Sequence, residues 1–181
     1  MFRPAVLATL AALVVVTPLL AGCAQTTPVD EPDPGGGRVA TPVIAMPADA
    51  SPATVNYVHD GDTLFLTTPS DANLKVRLLG IDTPEIGDNL ECYGDEATVL
   101  LRELLPEGTS VFTSADVEPL DQYGRSLLYV FTADGTSVNL EMVARGAAEA
   151  VRIGANDAYW PQLSTAQSIA TESSAGRWGA C

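Results

Sequence analysis

Three short segments hold the residues able to do chemistry. In Asp60-Gly61-Asp62-Thr63 a turn leads into a strand, and Asp62 projects a carboxylate from the strand's start. Asp-Gly is a turn signal in its own right, so this segment alone carries little. Arg77-Leu78-Leu79-Gly80-Ile81-Asp82-Thr83-Pro84-Glu85 is more telling, because a strand carrying Arg77 delivers Asp82 and Glu85 around a proline-stiffened turn. Asp62 and Asp82 offer hard oxygen ligands of the type calcium prefers, with a main-chain carbonyl and waters to fill the other positions. Glu85, just beyond them, is the candidate base. The third segment, Asp121-Gln122-Tyr123-Gly124-Arg125, places a second guanidinium at the head of another strand. Two arginine forks facing a cation suit a phosphodiester whose negative charge grows in the transition state. Either arginine taken alone reads rather as a surface salt bridge with a nearby Asp. His59, the sole histidine, sits beside the first turn; calcium prefers oxygen, so it reads as a bystander.

Hydrophobic period and turn residues supply the elements that must position these groups. Val55 and Tyr57 alternate, then Leu64 and Leu66, then Leu74, Val76 and Leu78, with breaks at His59-Asp60-Gly61 and Pro69-Ser70-Asp71, which predicts a three-strand meander. Residues 95–105 follow as a helix, with Val99, Leu100, Leu104 and Leu105 toward one side, acids in the first turn and Pro106 and Gly108 as stop signals. Val111-Phe112-Thr113 and residues 127–131 read as two further strands, and residues 139–145 and 159–172 as two further helices. The expected class is α+β, mainly β: a five-stranded OB-fold barrel with about three helices, one of them between the third and fourth strands. Phe65, Phe112, Leu128 and Tyr129 are expected in its core rather than on a base-stacking surface.

Together these stretches, with Tyr93-Gly94-Asp95-Glu96-Ala97, resemble the staphylococcal nuclease family in the family's order, from Ala53 to Trp178. The resemblance implies a calcium-dependent phosphodiesterase acting on DNA and RNA. Asp62 and Asp82 match the family's calcium carboxylates, and Thr83 matches the residue whose main-chain carbonyl joins them. Glu85 matches the residue that activates or orients water, and Arg77 and Arg125 match the arginines that bind the scissile phosphate. Cleavage at the 5′ oxygen, leaving 3′-phosphate products, is a further implication. The chain departs from the family's well-studied basic members where tyrosines flank the nucleotide base, reading Ala150-Val151-Arg152-Ile153-Gly154 instead. Arg152 could lie over a base or pair with an acid.

Composition bounds the rest. The 181 residues leave room for one ordinary domain plus targeting segments. Residues 1–22 read as a lipoprotein signal peptide: Arg3 precedes an apolar stretch over residues 5–16, too short to span a bilayer. Leu20-Ala21-Gly22-Cys23 resembles the lipobox of bacterial lipoproteins, which implies a lipidated Cys23 and an extracytoplasmic protein held at the cell membrane. Residues 23–51 form a Pro/Gly-rich linker in which only Val43, Ile44 and Met46 offer much to bury, and residues 52–181 form the domain. With Cys23 so used, Cys92 and Cys181 are an even pair in an oxidising compartment, read as a disulfide, the alternative being two free thiols. A monomer is expected. The net charge of -14 has the wrong sign for holding a polyanion by a general field. Any nucleic-acid chemistry must rest on a local site, with single strands favoured.

Overall fold

The computed structural model describes residues 41–181; Cys23 and the signal-like segment lie outside them. In chain order the elements are β1 (Ser51–Val58), β2 (Thr63–Thr67), β3 (Leu74–Leu78), β4 (Ile81–Asp82), α1 (Gly94–Leu104), β5 (Ser110–Ser114), β6 (Ser126–Thr132), α2 (Val138–Ala144), β7 (Glu149–Ala150), α3 (Trp160–Glu172) and the four-residue α4 (Arg177–Ala180). Five strands close into a barrel in the order β1-β2-β3-β6-β5. All neighbours are antiparallel except β3 and β6, which run parallel with Arg77 opposite Leu127. A closed five-stranded barrel with a helix between its third and fourth strands is an OB-fold. Closure leaves the barrel without a sheet edge; β4 and β7 pair as a separate two-stranded sheet.

The strands form because their apolar residues alternate. Val55, Leu64, Leu66, Val76, Leu78, Val111, Leu127, Tyr129 and Phe131 are all buried. Ile44, ahead of β1, joins the same core. Three expectations need correction. Val55 and Tyr57 do not share a face: a bulge leaves Asn56 unpaired, so Val55 faces Leu66 while Tyr57 faces Phe65. Tyr57 therefore turns outward, 40% exposed. Phe65 goes with it, stacked on Tyr57 with ring centroids 4.5 Å apart rather than packed in the core. In α1 the buried side is Ala97, Thr98 and Leu101, with Leu105 continuing the stripe just beyond the helix. Val99 lies two residues from Ala97 and Leu101, hence on the opposite side of a 3.6-residue turn, and is half exposed. Leu100 and Leu104 pack partly buried at the edge of the core.

Two features fix the segment that leaves the barrel after β3. Gly80 takes φ 76°, the left-handed region, where a side chain would also run into Leu163 of α3. Asn139, wholly buried on α2, accepts from the Val130 amide at 2.9 Å and donates to the Leu79 carbonyl at 2.8 Å. It ties the helix layer to β6 and to this turn, satisfying backbone groups that burial would otherwise orphan. Among the described residues no helix is long and apolar enough to cross a membrane.

Candidate active site

At the end of the barrel where β2 starts and β3 finishes, a polar cavity of about 220 Å³ is lined by Asp60, Asp62, Thr63, Arg77, Asp82, Thr83, Pro84, Glu85 and Arg125. All three chemistry-bearing segments meet here. Asp60 makes the turn: its Oδ1 accepts from the amides of Asp62 at 3.0 Å and Thr63 at 2.7 Å. That places Asp62 at the head of β2, 8% exposed. Asp62 Oδ2 accepts from the Thr83 amide and hydroxyl, both at 3.2 Å, and pairs with Arg77 Nη2 at 3.1 Å. Burial pushes the Asp62 carboxyl up to about 6, with Asp60 and Asp82 adding repulsion while Arg77 and the Thr83 amide pull the other way.

Arg77 is buried, and its Nη1 is held by the carbonyls of Leu78 at 2.8 Å and Ile81 at 2.7 Å. Its Nη2 turns toward the carboxylates, meeting Asp82 at 2.7 Å as well as Asp62. Asp82 stands on β4, a two-residue strand paired with β7 so that Asp82 lies opposite Glu149. Like charges across a strand pair repel. Arg177 of α4 offsets this by pairing with Glu149 at 2.6 Å.

Arg125 is braced by a residue that sequence reasoning read only as part of a turn. Asp121 Oδ1 accepts from the Arg125 amide at 2.9 Å, and Asp121 Oδ2 takes Arg125 Nε at 2.6 Å. Burial raises the Asp121 carboxyl, but the hydrogen bonds from the Arg125 side chain and the Arg125 and Tyr123 amides outweigh it and leave the group below its ordinary value. Arg125 Nη1 reaches toward the Thr63 hydroxyl at 3.4 Å, so the fork points into the cavity.

Glu85 is exposed at the cavity's rim, on a loop closed by Glu91, whose amide donates to the Glu85 carbonyl at 2.9 Å. Gly94 opens α1 directly against that carbonyl, and any Cβ there would collide with it. One residue outside this loop, Cys92 is bonded to Cys181, with their Cα atoms 6.1 Å apart. His59 is exposed and does not line the cavity. Arg152 lies over the Trp160 ring, 4.8 Å from its centroid.

The lining fits a divalent cation in charge and donor type. Four carboxylates face two guanidiniums, an excess of two negative charges. The donors are all oxygen, as a hard cation requires. Among the described residues no three His, Cys, Asp or Glu side chains form a closed metal cage. Asp62 and Asp82 would share the ion with the neutral oxygens of Thr83.

Residues 75–180 match the family described as staphylococcal nuclease homologue. The chain belongs to the staphylococcal nuclease family. It is 32% identical over 127 residues to the Thermonuclease of Staphylococcus intermedius, covering 68% of this chain and 74% of that protein. It is 31% identical over 134 residues to Endonuclease YhcR of Bacillus subtilis, covering 68% of this chain but 11% of that much longer protein. An uncharacterized endonuclease of Escherichia coli O157:H7 is 33% identical over 121 residues, covering 67% of this chain and 72% of its own length.

Proposed function

We propose that this staphylococcal nuclease family member hydrolyses phosphodiester bonds of DNA and RNA at the cavity between β2, β3 and β6, using calcium and leaving 3′-phosphate products. The observation that carries this reading is the meeting of Asp62, Arg77, Asp82, Thr83, Glu85 and Arg125, drawn from three separate segments, around one polar cavity. Relatives named as a thermonuclease and as endonucleases support it. Asp62, Asp82 and the Thr83 carbonyl would hold the calcium ion, which would supply Lewis-acid polarisation of a phosphate oxygen. Glu85, exposed and outside the ion pairs of the cavity, accepts the proton of the attacking water and directs it in line. Arg77 and Arg125 hold the non-bridging oxygens and take up the charge that grows as the fifth oxygen enters. Arg125 is already oriented by Asp121. Arg77 Nη1 is fixed by two main-chain carbonyls, while its Nη2, paired with Asp62 and Asp82, would turn to the phosphate once a cation took those carboxylates.

The same reading places the protein outside the cytoplasm as a monomer, anchored through a lipidated Cys23, with the Pro/Gly-rich stretch ahead of Ile44 as the spacer between anchor and domain. Digestion of single-stranded and plasmid DNA and of RNA, with calcium, with magnesium plus a calcium chelator, or with chelator alone, tests the activity. Turnover is expected with calcium only, because a magnesium site demands stricter octahedral geometry. Equal turnover with magnesium overturns the metal assignment, and no turnover under any condition overturns the nuclease reading.

A further inference from the structure

The outer face of β1-β2-β3 carries a second feature in register with the catalytic row. Thr63 faces Arg77 across β2 and β3, and one same-face step along, about 7 Å away, Phe65 faces Lys75. On the other side Phe65 faces Tyr57. The two rings are stacked, 13° from coplanar, and Lys75 Nζ sits 5.8 Å from the Phe65 centroid on the neighbouring strand. Lys75 is the only lysine of the chain. The Asn56 bulge turns Tyr57 to this side, since regular alternation from Val55 would point it inward. An outward aromatic pair stabilises any sheet. Here, however, it stands beside the catalytic arginine, on the strands that OB-folds use for oligonucleotides, and it brings a cation to a chain with a surplus of acids.

We infer that Tyr57, Phe65 and Lys75 form a subsite for one nucleotide beside the scissile phosphate, Tyr57 stacking on its base with Phe65 backing the ring, and Lys75 meeting its phosphate. The inference rests on the nuclease reading of the cavity and extends it to a substrate class: an unpaired strand, because only an unstacked base offers its π-face to a ring. In a duplex both faces of every base are covered by neighbours, so the subsite selects flexible single strands or frayed ends.

The test uses the intact protein with calcium and single-stranded octanucleotides carrying one cleavable linkage, in which each base in turn is replaced by an abasic sugar. For the wild type, loss of one base flanking the cleavable linkage is expected to raise KM roughly tenfold with kcat little changed. Tyr57→Thr, which keeps β propensity at an exposed position, is expected to raise KM for the intact strand by the same factor and to abolish the penalty at that base alone. Lys75→Gln is expected to raise KM and to shift the log-log salt slope of binding in the positive direction by about 0.7, the share of one single-strand phosphate. Wild-type KM in both variants, or an abasic penalty unaltered in Tyr57→Thr, overturns the subsite while leaving the nuclease reading standing. Absence of cleavage by the wild type overturns both. Should Tyr57→Thr fail to fold, Lys75→Gln, at an exposed site, decides: an unchanged KM and salt slope overturn the subsite.

Discussion

Glu85 and Arg125 differ in how they are held, and their substitutions should differ accordingly. Glu85→Gln removes proton acceptance at an exposed position, and Arg125→Lys removes the bidentate fork while keeping the charge. Each is expected to slow single-turnover cleavage by about a hundredfold or more without loss of the folded circular dichroism spectrum; near-wild-type rates in both would remove the roles given to them. Asp121→Asn should act at one remove, slowing cleavage by roughly tenfold through a loosened Arg125, with stability lower by about 1 kcal/mol. The pH dependence of that loss has a definite sign. Because the folded Asp121 carboxyl titrates below its ordinary value, its contribution is complete above the unfolded pKa of about 4 and is lost as pH falls through the depressed folded value. Urea titrations below about pH 4 should therefore show a shallower acid limb in Asp121→Asn. At this scale Asp62, Arg77, Asp82, Glu85 and Arg125 were legible as chemistry-bearing groups because each sits in a short run with its own turn signal, whereas Thr83 was singled out only through the resemblance to the family. Asp121 and Asp60 were legible only as turn formers, since bracing a neighbour's guanidinium leaves no separate mark. Asn139 could have been found as the lone amide in the apolar run Val138-Asn139-Leu140-Glu141-Met142-Val143, although its partners on β6 and after β3 were beyond local pattern.

Around the loop that carries Glu85, two elements meet under constraint. α1 begins against the Glu85 carbonyl at Gly94, and the chain's end is bonded to Cys92 just ahead of that helix. Gly94→Ala forces helix and loop apart, and is expected to lower kcat at least tenfold through displacement of Glu85 while barrel strands keep their hydrogen-exchange protection. Wild-type kcat in that variant would mean that the loop's position is irrelevant to the reaction. The disulfide closes a loop of 89 residues, for which the chain-entropy model gives about 4 to 5 kcal/mol. The Cys92→Ser/Cys181→Ser variant should unfold at correspondingly lower denaturant, and reductant should shift the wild type to the same midpoint; unchanged midpoints would show that the bond adds nothing. The five barrel strands and three longer helices were legible because their apolar residues recur at strand or helix period over enough residues to be distinctive. Period failed where one residue was inserted, at the Asn56 bulge that turns Tyr57 outward, while Phe65 faces outward by the regular alternation of β2 between the buried Leu64 and Leu66. It failed also for β4 and β7, two residues each, which exist only because Asp82 and Glu149 are brought together by the tertiary fold.

Across the whole molecule, charge opposes substrate. A basic nuclease gains affinity by releasing counterions from the nucleic acid, so its binding falls steeply as salt rises, with a slope set by the phosphates neutralised. Here 19 acids outnumber seven bases over residues 52–181. Of those bases Arg77 and Arg125 line the cavity, Arg145 and Arg177 are paired with Glu141 and Glu149, and Arg152 lies over Trp160. Little remains to lay a long phosphate backbone along, and beyond the cavity and the neighbouring Lys75 the surface repels a polyanion even with one calcium ion bound. Added salt screens that repulsion as well as the local attraction, over a Debye length of about 8 Å at physiological strength. The two effects oppose one another. Catalytic efficiency on single-stranded DNA at saturating calcium is therefore expected to change little, or to rise, between low and physiological salt. Measuring kcat/KM across that range checks it: a fall with a log-log slope of several units would mean that the few bases act as an extended nucleic-acid track, against the charge distribution described here.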